Sequence, residues 1–234
     1  MVIAMFLAHL VGDFILQWDA LAEWKLRQMR GVIFHCLIIL LITTIFALPF
    51  EPFWWQGVLF ISVFHFLIDT LWFYYRPRYL PALARFTIDQ LLHFLIILVA
   101  LVMGGFLTWN NLWGGITASA AQTPMLTTLL GYAFITMPAW VLLKFAVYGL
   151  VKRQPPNFPA GPNKYVGIVE RLLITTLIIF GQVLLVPLVT LPRLLMEWPR
   201  VTEGGGDTVY IAEFISSITL AVMVGIGLRF LPYL

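Results

Sequence analysis

Residues 86–108, FTIDQLLHFLIILVALVMGGFLT, hold one charged residue, Asp89, and one histidine, His93, in an otherwise largely apolar run. Coiled into a helix at about 1.5 Å per residue, such a run covers the roughly 30 Å hydrocarbon core of a bilayer. Comparable runs occupy 1–18, 31–48, 53–75, 125–151, 165–191 and 209–231. The chain is 61% hydrophobic and 11% charged, where a soluble domain has roughly a quarter of its residues charged. The expected fold is therefore all-α, a polytopic membrane protein of about seven transmembrane helices. The first run has no charged segment before it and no small-residue cleavage site after it, so it is expected to stay as a span and not to be removed as a signal peptide. Cys36, the single cysteine, cannot close an internal disulfide and is expected in the core.

The basic residues between the runs alternate. Lys25, Arg27 and Arg30 fall in the first loop, Arg76, Arg78 and Arg85 in the third, and Lys152, Arg153 and Lys164 in the fifth, whereas the second and fourth have none. The positive-inside rule then puts the N-terminus outside and the C-terminus in the cytoplasm. The sixth loop mixes Arg193 and Arg200 with Glu197, Glu203 and Asp207, and acidic residues carry little weight in that rule. Trp18, Trp54, Trp55, Trp72, Tyr74, Tyr75, Trp109, Trp113 and Trp198 cluster at span ends, where aromatic belts belong. The stretches KRQPPNFPAGPNK (152–164) and EWPRVTEGGGDT (197–208) read as loops. No P-loop, dinucleotide fingerprint or nucleic-acid-binding module is present, and no nucleic-acid partner is expected.

The four histidines, His9, His35, His65 and His93, all lie in the first four runs. Three have an aspartate one helical turn away: His9 with Asp13 in HLVGD, His65 with Asp69 in HFLID, and, in reverse order, Asp89 with His93 in DQLLH. The reversal is informative. Runs one and three cross inward and run four crosses outward, so in all three pairs the aspartate is nearer the cytoplasm. At the helical rise the aspartates lie roughly 4–9 Å deep, His9, His65 and His93 roughly 10–15 Å, and His35 roughly 6 Å. Ionisable groups at such depth must face the bundle or a wet cavity. Imidazole and carboxylate together suit a divalent transition metal, zinc first among them, and facing helices commonly assemble such sites. The candidate ligands are His9, Asp13, His35, His65, Asp69, Asp89 and His93, enough for one metal with supporting residues or for two metals. HLVGDFILQ and HFLIDTLWF also hint at a duplicated helical hairpin.

Two halves are expected, a four-helix His/Asp half over 1–108 and a three-helix half over 109–234. In the second, Lys144 lies about 12 Å from the inner end of its run, and Glu170 and Arg171 about 9–10 Å into theirs. Their depth matches that of the His/Asp level, and a cation beside a metal is what a phosphate or carboxylate headgroup requires. Lys144, Glu170 and Arg171 are the candidate substrate-binding residues.

HLVGDFILQ, His35, FHFLID and DQLLH, together with GIVERLL and the later GQ between Gly167 and Gln182, resemble a bacterial integral-membrane family catalogued as domain of unknown function 3307. The resemblance is close over the His/Asp half and looser over the sixth run. Where that family tends to have Lys-Ser after Gly-Gln, this chain has VPLVTLPRLL, with Arg193 as a stand-in. The resemblance implies a location in the bacterial inner membrane and no particular activity.

The chemistry expected from the residues is that of a metal-dependent hydrolase or transferase acting on a membrane lipid or lipid-linked substrate at the cytoplasmic leaflet. A metal held by these histidines would lower the pKa of a bound water, and whichever of Asp13, Asp69 and Asp89 is not a ligand would serve as general base or orient a ligand imidazole. The alternatives are a metal-ion or proton transporter or channel, and a membrane subunit or sensor with a structural metal. Against a channel, the outer halves of the first four runs offer few polar residues beyond Thr43, Thr44, Gln56 and Ser62.

Overall fold

Val2–Leu10 forms α1, and of its nine residues only Phe6 is not buried. A helix that is apolar all round and covered all round is surrounded by protein. A π-helical turn, Val11–Ile15, continues it, and after an 84° bend comes α2, Asp19–Arg27. Then follow α3 (Met29–Ala47), α4 (Trp55–Tyr74), α5 (Ala82–Met103), α6 (Leu112–Gln122), α7 (Pro124–Ile135), α8 (Met137–Val147), α9 (Asn163–Ile179), α10 (Val186–Glu203) and α11 (Thr208–Phe230). This computed structural model describes residues 1–75, 77, 79–156, 158, 163–203 and 208–230. Of the charges used above for topology, Arg76, Arg78 and Asp207, and the side chains of Glu197, Arg200 and Glu203, lie outside the described residues. Among the described residues there is no strand.

Four helices, α3, α4, α5 and α11, are long and apolar enough to cross a membrane, and the number rises to six if the two bent pairs, α1 with α2 and α7 with α8, each count as one span. Their outer faces carry the signature of lipid contact. On α3, Ile33, Leu37, Leu41 and Ile45, spaced by one turn, are exposed, while His35, Cys36, Ile39 and Thr43 of the same helix are buried. This inversion of the soluble pattern is what a lipid surround allows.

The run 165–191, expected as one span, is two helices. Gly181 ends α9 with φ +75°, the left-handed conformation that glycine adopts at little cost. Its N–H donates to the Ile178 carbonyl at 3.0 Å and that of Gln182 to the Leu177 carbonyl at 2.8 Å, the paired bonds of a helix stop. The run 125–151 also breaks, at Thr136 (φ −81°, ψ −120°), two residues before Pro138, which has no N–H to continue the ladder. The stretch read as the fourth loop contains the helix α6.

The chain forms two units, one made of Met1–Leu80 and Ala84–Ala133, the other of Pro81–Leu83 and the residues from Phe134 onward. In the first, α1 packs on α3, which packs on α4 and α2. Val2 and Met5 of α1, Val58 and Ile61 of α4, and Ile97 and Leu101 of α5 build its apolar core. Trp54, expected in an interfacial belt, is buried in that core, its indole lying where a side chain on Gly57 or Gly104 would be. On α1, α4 and α5 these core residues occupy one end and the histidines and aspartates the other. The two stretches behind the hint of a duplicated hairpin differ in form, α1 being nine residues, covered and followed by a bend, and α4 a single helix of 20 residues. In the second unit α11 packs on α9 and α8, with Ile174, Ile178 and Ala221 fully enclosed.

Candidate metal centre

His35 and His65 reach the interior from α3 and α4, each no more than 1% exposed, and the covered helix α1 brings His9. The π turn carries Asp13, and one turn beyond His65 stands Asp69. His35 Nε2 lies 3.1 Å from Asp13 Oδ1 and 3.6 Å from Asp69 Oδ2. His65 Nε2 lies 3.4 Å from Asp69 Oδ2 and 3.9 Å from Asp13 Oδ1. The two Nε2 atoms are 3.3 Å apart. From α5, His93 packs its ring on that of His65 with centroids 4.1 Å apart, and on that of His9 at 5.5 Å.

All seven residues expected from the sequence are therefore gathered in the first unit. Ligand atoms within 4.8 Å of one another form three groups: Asp13, His35 and His65; Cys36, His65 and Asp69; and Asp69, Asp89 and His93. These buried groups could hold a metal ion. His9 belongs to none of the three, because its Nε2 faces Gln90 Oε1 at 3.3 Å.

Three participants were not read from the sequence. Lys25, taken as a loop cation, puts Nζ 2.9 Å from Asp69 Oδ2 and 3.9 Å from Asp13 Oδ1. It gets there because α2 lies against α3 at Gly31, where a Cβ would come within 2.5 Å of the Trp24 and Lys25 backbone. Leu21, buried and one turn before Lys25, marks the same inward face of α2. Gln90 donates from Nε2 to Asp89 Oδ2 at 2.9 Å and to Asp13 Oδ2 at 3.3 Å, linking two carboxylates to His9. Cys36, expected to be packing alone, points Sγ at Asp69 Oδ2 from 3.8 Å.

Lys144, Glu170 and Arg171, expected at the level of the His/Asp cluster, find partners inside the second unit. Lys144 Nζ is 2.8 and 3.0 Å from the two carboxylate oxygens of Glu213. Arg193 Nη1 is 2.6 Å from Glu170 Oε2. Arg171, 2% exposed, donates from Nε to the Ile135 carbonyl at 2.7 Å, from Nη2 to that of Thr136 at 3.1 Å and from Nη1 to Ser217 Oγ at 3.1 Å. It thus covers carbonyls at the break that Pro138 forces, where the helix end carries partial negative charge.

No curated protein and no solved structure matches the chain. A family model described as "Protein of unknown function (DUF3307)" matches residues 1–117. Every residue of the His/Asp/Lys cluster falls inside that stretch, and the Gly167–Gln182 motif falls outside it. The chain belongs to the family of proteins of unknown function DUF3307.

Proposed function

We propose that the first unit holds a divalent metal, zinc in first place, and serves a hydrolase or transferase that acts on an ester or phosphoester of a lipid or lipid-linked substrate. The observation that carries this reading is the spacing of His35 Nε2 and His65 Nε2 from each other and from Asp13 Oδ1 and Asp69 Oδ2, five of the six distances among the four atoms, which run from 3.1 to 3.9 Å. Four ligands about 2.0–2.1 Å from a tetrahedral zinc ion stand about 3.3–3.4 Å from one another. The two carboxylate oxygens are reached by the His35 ring, the Cys36 thiol and the Lys25 ammonium, and the two imidazole Nε2 atoms in contact share one proton, which leaves a lone pair between them for a metal.

A bound zinc ion supplies Lewis acidity toward a carbonyl or phosphoryl oxygen. The chain itself supplies the positioning. Gln90 steadies Asp13 and Asp89, and Lys25 offers an ammonium beside Asp69 to meet an anionic headgroup. Lys144 and Arg171 are held by partners in the second unit, whereas the partners of Lys25 are Asp69 and Asp13 of the centre itself, so the headgroup cation belongs at Lys25 once a metal takes up those carboxylates. The basic residues at Arg85, Lys152, Arg153 and Lys164 support a centre opening to the cytoplasmic leaflet of an inner membrane.

Protein purified without chelator is expected to carry bound zinc by elemental analysis, and His65→Ala and Asp69→Ala to lose both the metal and any turnover of esters or phosphoesters in a membrane lipid extract. No metal on purification, and none taken up on reconstitution, overturns the reading. Orientation is checked with an impermeant thiol reagent in a Cys36→Ser background, where a cysteine at Glu51 should label from outside and one at Arg153 should not.

One observation favours a second reading, a metal-ion or proton transporter. The runs broken at Thr136 and Gly181 resemble the interrupted helices of transport proteins. Against it, the first unit closes its other end with the Trp54 core, and the Thr44 and Ser62 hydroxyls donate back to carbonyls of their own helices at 2.7 and 2.8 Å. Metal-dependent flux in liposomes, abolished by Asp69→Ala and unaccompanied by any lipid product, would promote it.

A further inference from the structure

Resting on the metal centre just proposed, we infer that Asp69 bridges to a second divalent-cation position completed by Asp89 and His93, and that this second ion enters together with a phosphate group. Ligand atoms of these three residues lie within 4.8 Å of one another. Apart from Asp69 they are not among the four atoms of the first position.

The independent observation is His93 itself. Its Nδ1 donates to the Asp89 backbone carbonyl at 2.9 Å. A carbonyl only accepts, so the proton sits on Nδ1 and the lone pair of the neutral ring on Nε2. That Nε2 is buried without a hydrogen-bond partner, in a residue 1% exposed. A buried polar atom with no partner is costly, and an imidazole held through its other nitrogen by a carbonyl is how metal-ligating histidines are oriented. Asp89 is held in place in turn, its Oδ2 accepting from Gln90 Nε2 at 2.9 Å and its Oδ1 lying 3.6 Å from the His93 ring at Nδ1.

Charge says what must accompany the ion. Asp13, Asp69 and Asp89 against Lys25 leave two negative charges among buried or partly buried side chains, which one divalent ion neutralises. A second divalent ion would leave two positive charges in apolar surroundings, a state that needs an anion. A phosphate group carries the required charge, and paired metal ions are a recurrent clamp for phosphoryl oxygens. The centre then suits a phosphoester better than a carboxylic ester.

The test is a manganese titration of the full chain in detergent, read by metal stoichiometry and by electron paramagnetic resonance, with and without inorganic phosphate. The expected result is one Mn²⁺ per chain without phosphate and two with it, the second accompanied by a spin-coupled signal. Phosphate should lower the Mn²⁺ concentration needed for the second ion by about tenfold or more, since the linkage is reciprocal. His93→Gln and Asp89→Asn should each remove the second ion and the coupled signal and keep the first. One ion at every phosphate concentration overturns the second position while leaving the first, and so does a second ion that both variants retain. Two ions bound equally well without phosphate overturn the coupling to the anion. No ion under any condition overturns the underlying centre instead.

Discussion

The two units bury charge in opposite ways. In the second, Lys144 meets Glu213, Arg193 meets Glu170, and Arg171 is taken up by two carbonyls and a hydroxyl. In the first, Asp13 and Asp69 share the Lys25 ammonium with His35 and His65 close by. Two rings there, His35 at Nδ1 and His93 at Nε2, leave a buried nitrogen without a partner, where the second unit leaves one carboxylate oxygen so, Glu170 Oε1, among the described residues. Matched pairs of this kind hold helices together, as polar groups between membrane helices commonly do. A surplus of donors gathered from four helices and a bent segment fits a site that accepts something from outside. Burial of a charge is thus a weak sign of function by itself, and the balance of its partners is the stronger one.

The largest effect should come from Asp69→Asn, since Asp69 Oδ2 faces His35, His65, Lys25 and Cys36. Loss of a supporting residue behind a ligand costs 10- to 100-fold in metal affinity, so loss of this carboxylate should cost more than about 100-fold by competition with a chromophoric chelator. Thermal unfolding of the second unit's helices should stay unchanged. If Asp69→Asn keeps its metal, the contrast between the units collapses.

Gly31→Ala comes next. Its Cβ would press on the Trp24 and Lys25 backbone, which cannot rotate aside, so α2 must lift from α3 at a cost of about 1–3 kcal/mol. The readouts are a lower unfolding midpoint and faster labelling of a cysteine placed at Leu21. Lys25→Met should do the reverse to the metal. Removing an ammonium 2.9 Å from Asp69 takes away a competing charge, and metal affinity should rise by about tenfold or more while turnover of an anionic substrate falls. Unchanged affinity would show that Lys25 is indifferent to the centre.

The smallest effect belongs to a matched pair removed whole. Lys144→Met combined with Glu213→Gln should move stability by less than about 1 kcal/mol, because exchanging both partners of a buried pair is often neutral, and bound metal should not change. Loss of metal in this double variant would tie the second unit to the centre and blur the comparison.

The His/Asp centre was legible because three four-residue spacings inside apolar runs leave few ways to face the charges away from lipid. Lys25 was not. Among Glu23, Lys25 and Arg27 it reads as an ordinary loop cation, and the available clue was Leu21 one turn earlier, then Gly31 to admit the close approach. Gln90 carries no spacing signal, since its role depends on which way α5 is turned. Pro138 and Gly181 announced the two helix breaks, but hydropathy averaged over a window passes across them. That α1 is enclosed by protein and not by lipid was illegible for a plainer reason: both surroundings are apolar and ask for the same side chains.

The π turn at Val11–Ile15 has a consequence for how this chain tolerates changes of length. Its closing bond, from the Leu16 N–H to the Val11 carbonyl at 2.8 Å, spans five residues where an α-helix spans four, so the turn holds one residue more than a regular helix needs. Deleting Val11 would leave a continuous, equally greasy helix, and by hydropathy nothing would have happened. Because the residue removed is the surplus one, the segments on either side would keep nearly the register they have now, whereas a deletion in a regular stretch such as α3 would swing everything before it by about 100° against everything after it. The turn works as a length buffer: deletion of Val11 should cost metal retention far less than deletion of Leu37, which lies in the regular α3 between His35 and the buried Ile39 and Thr43.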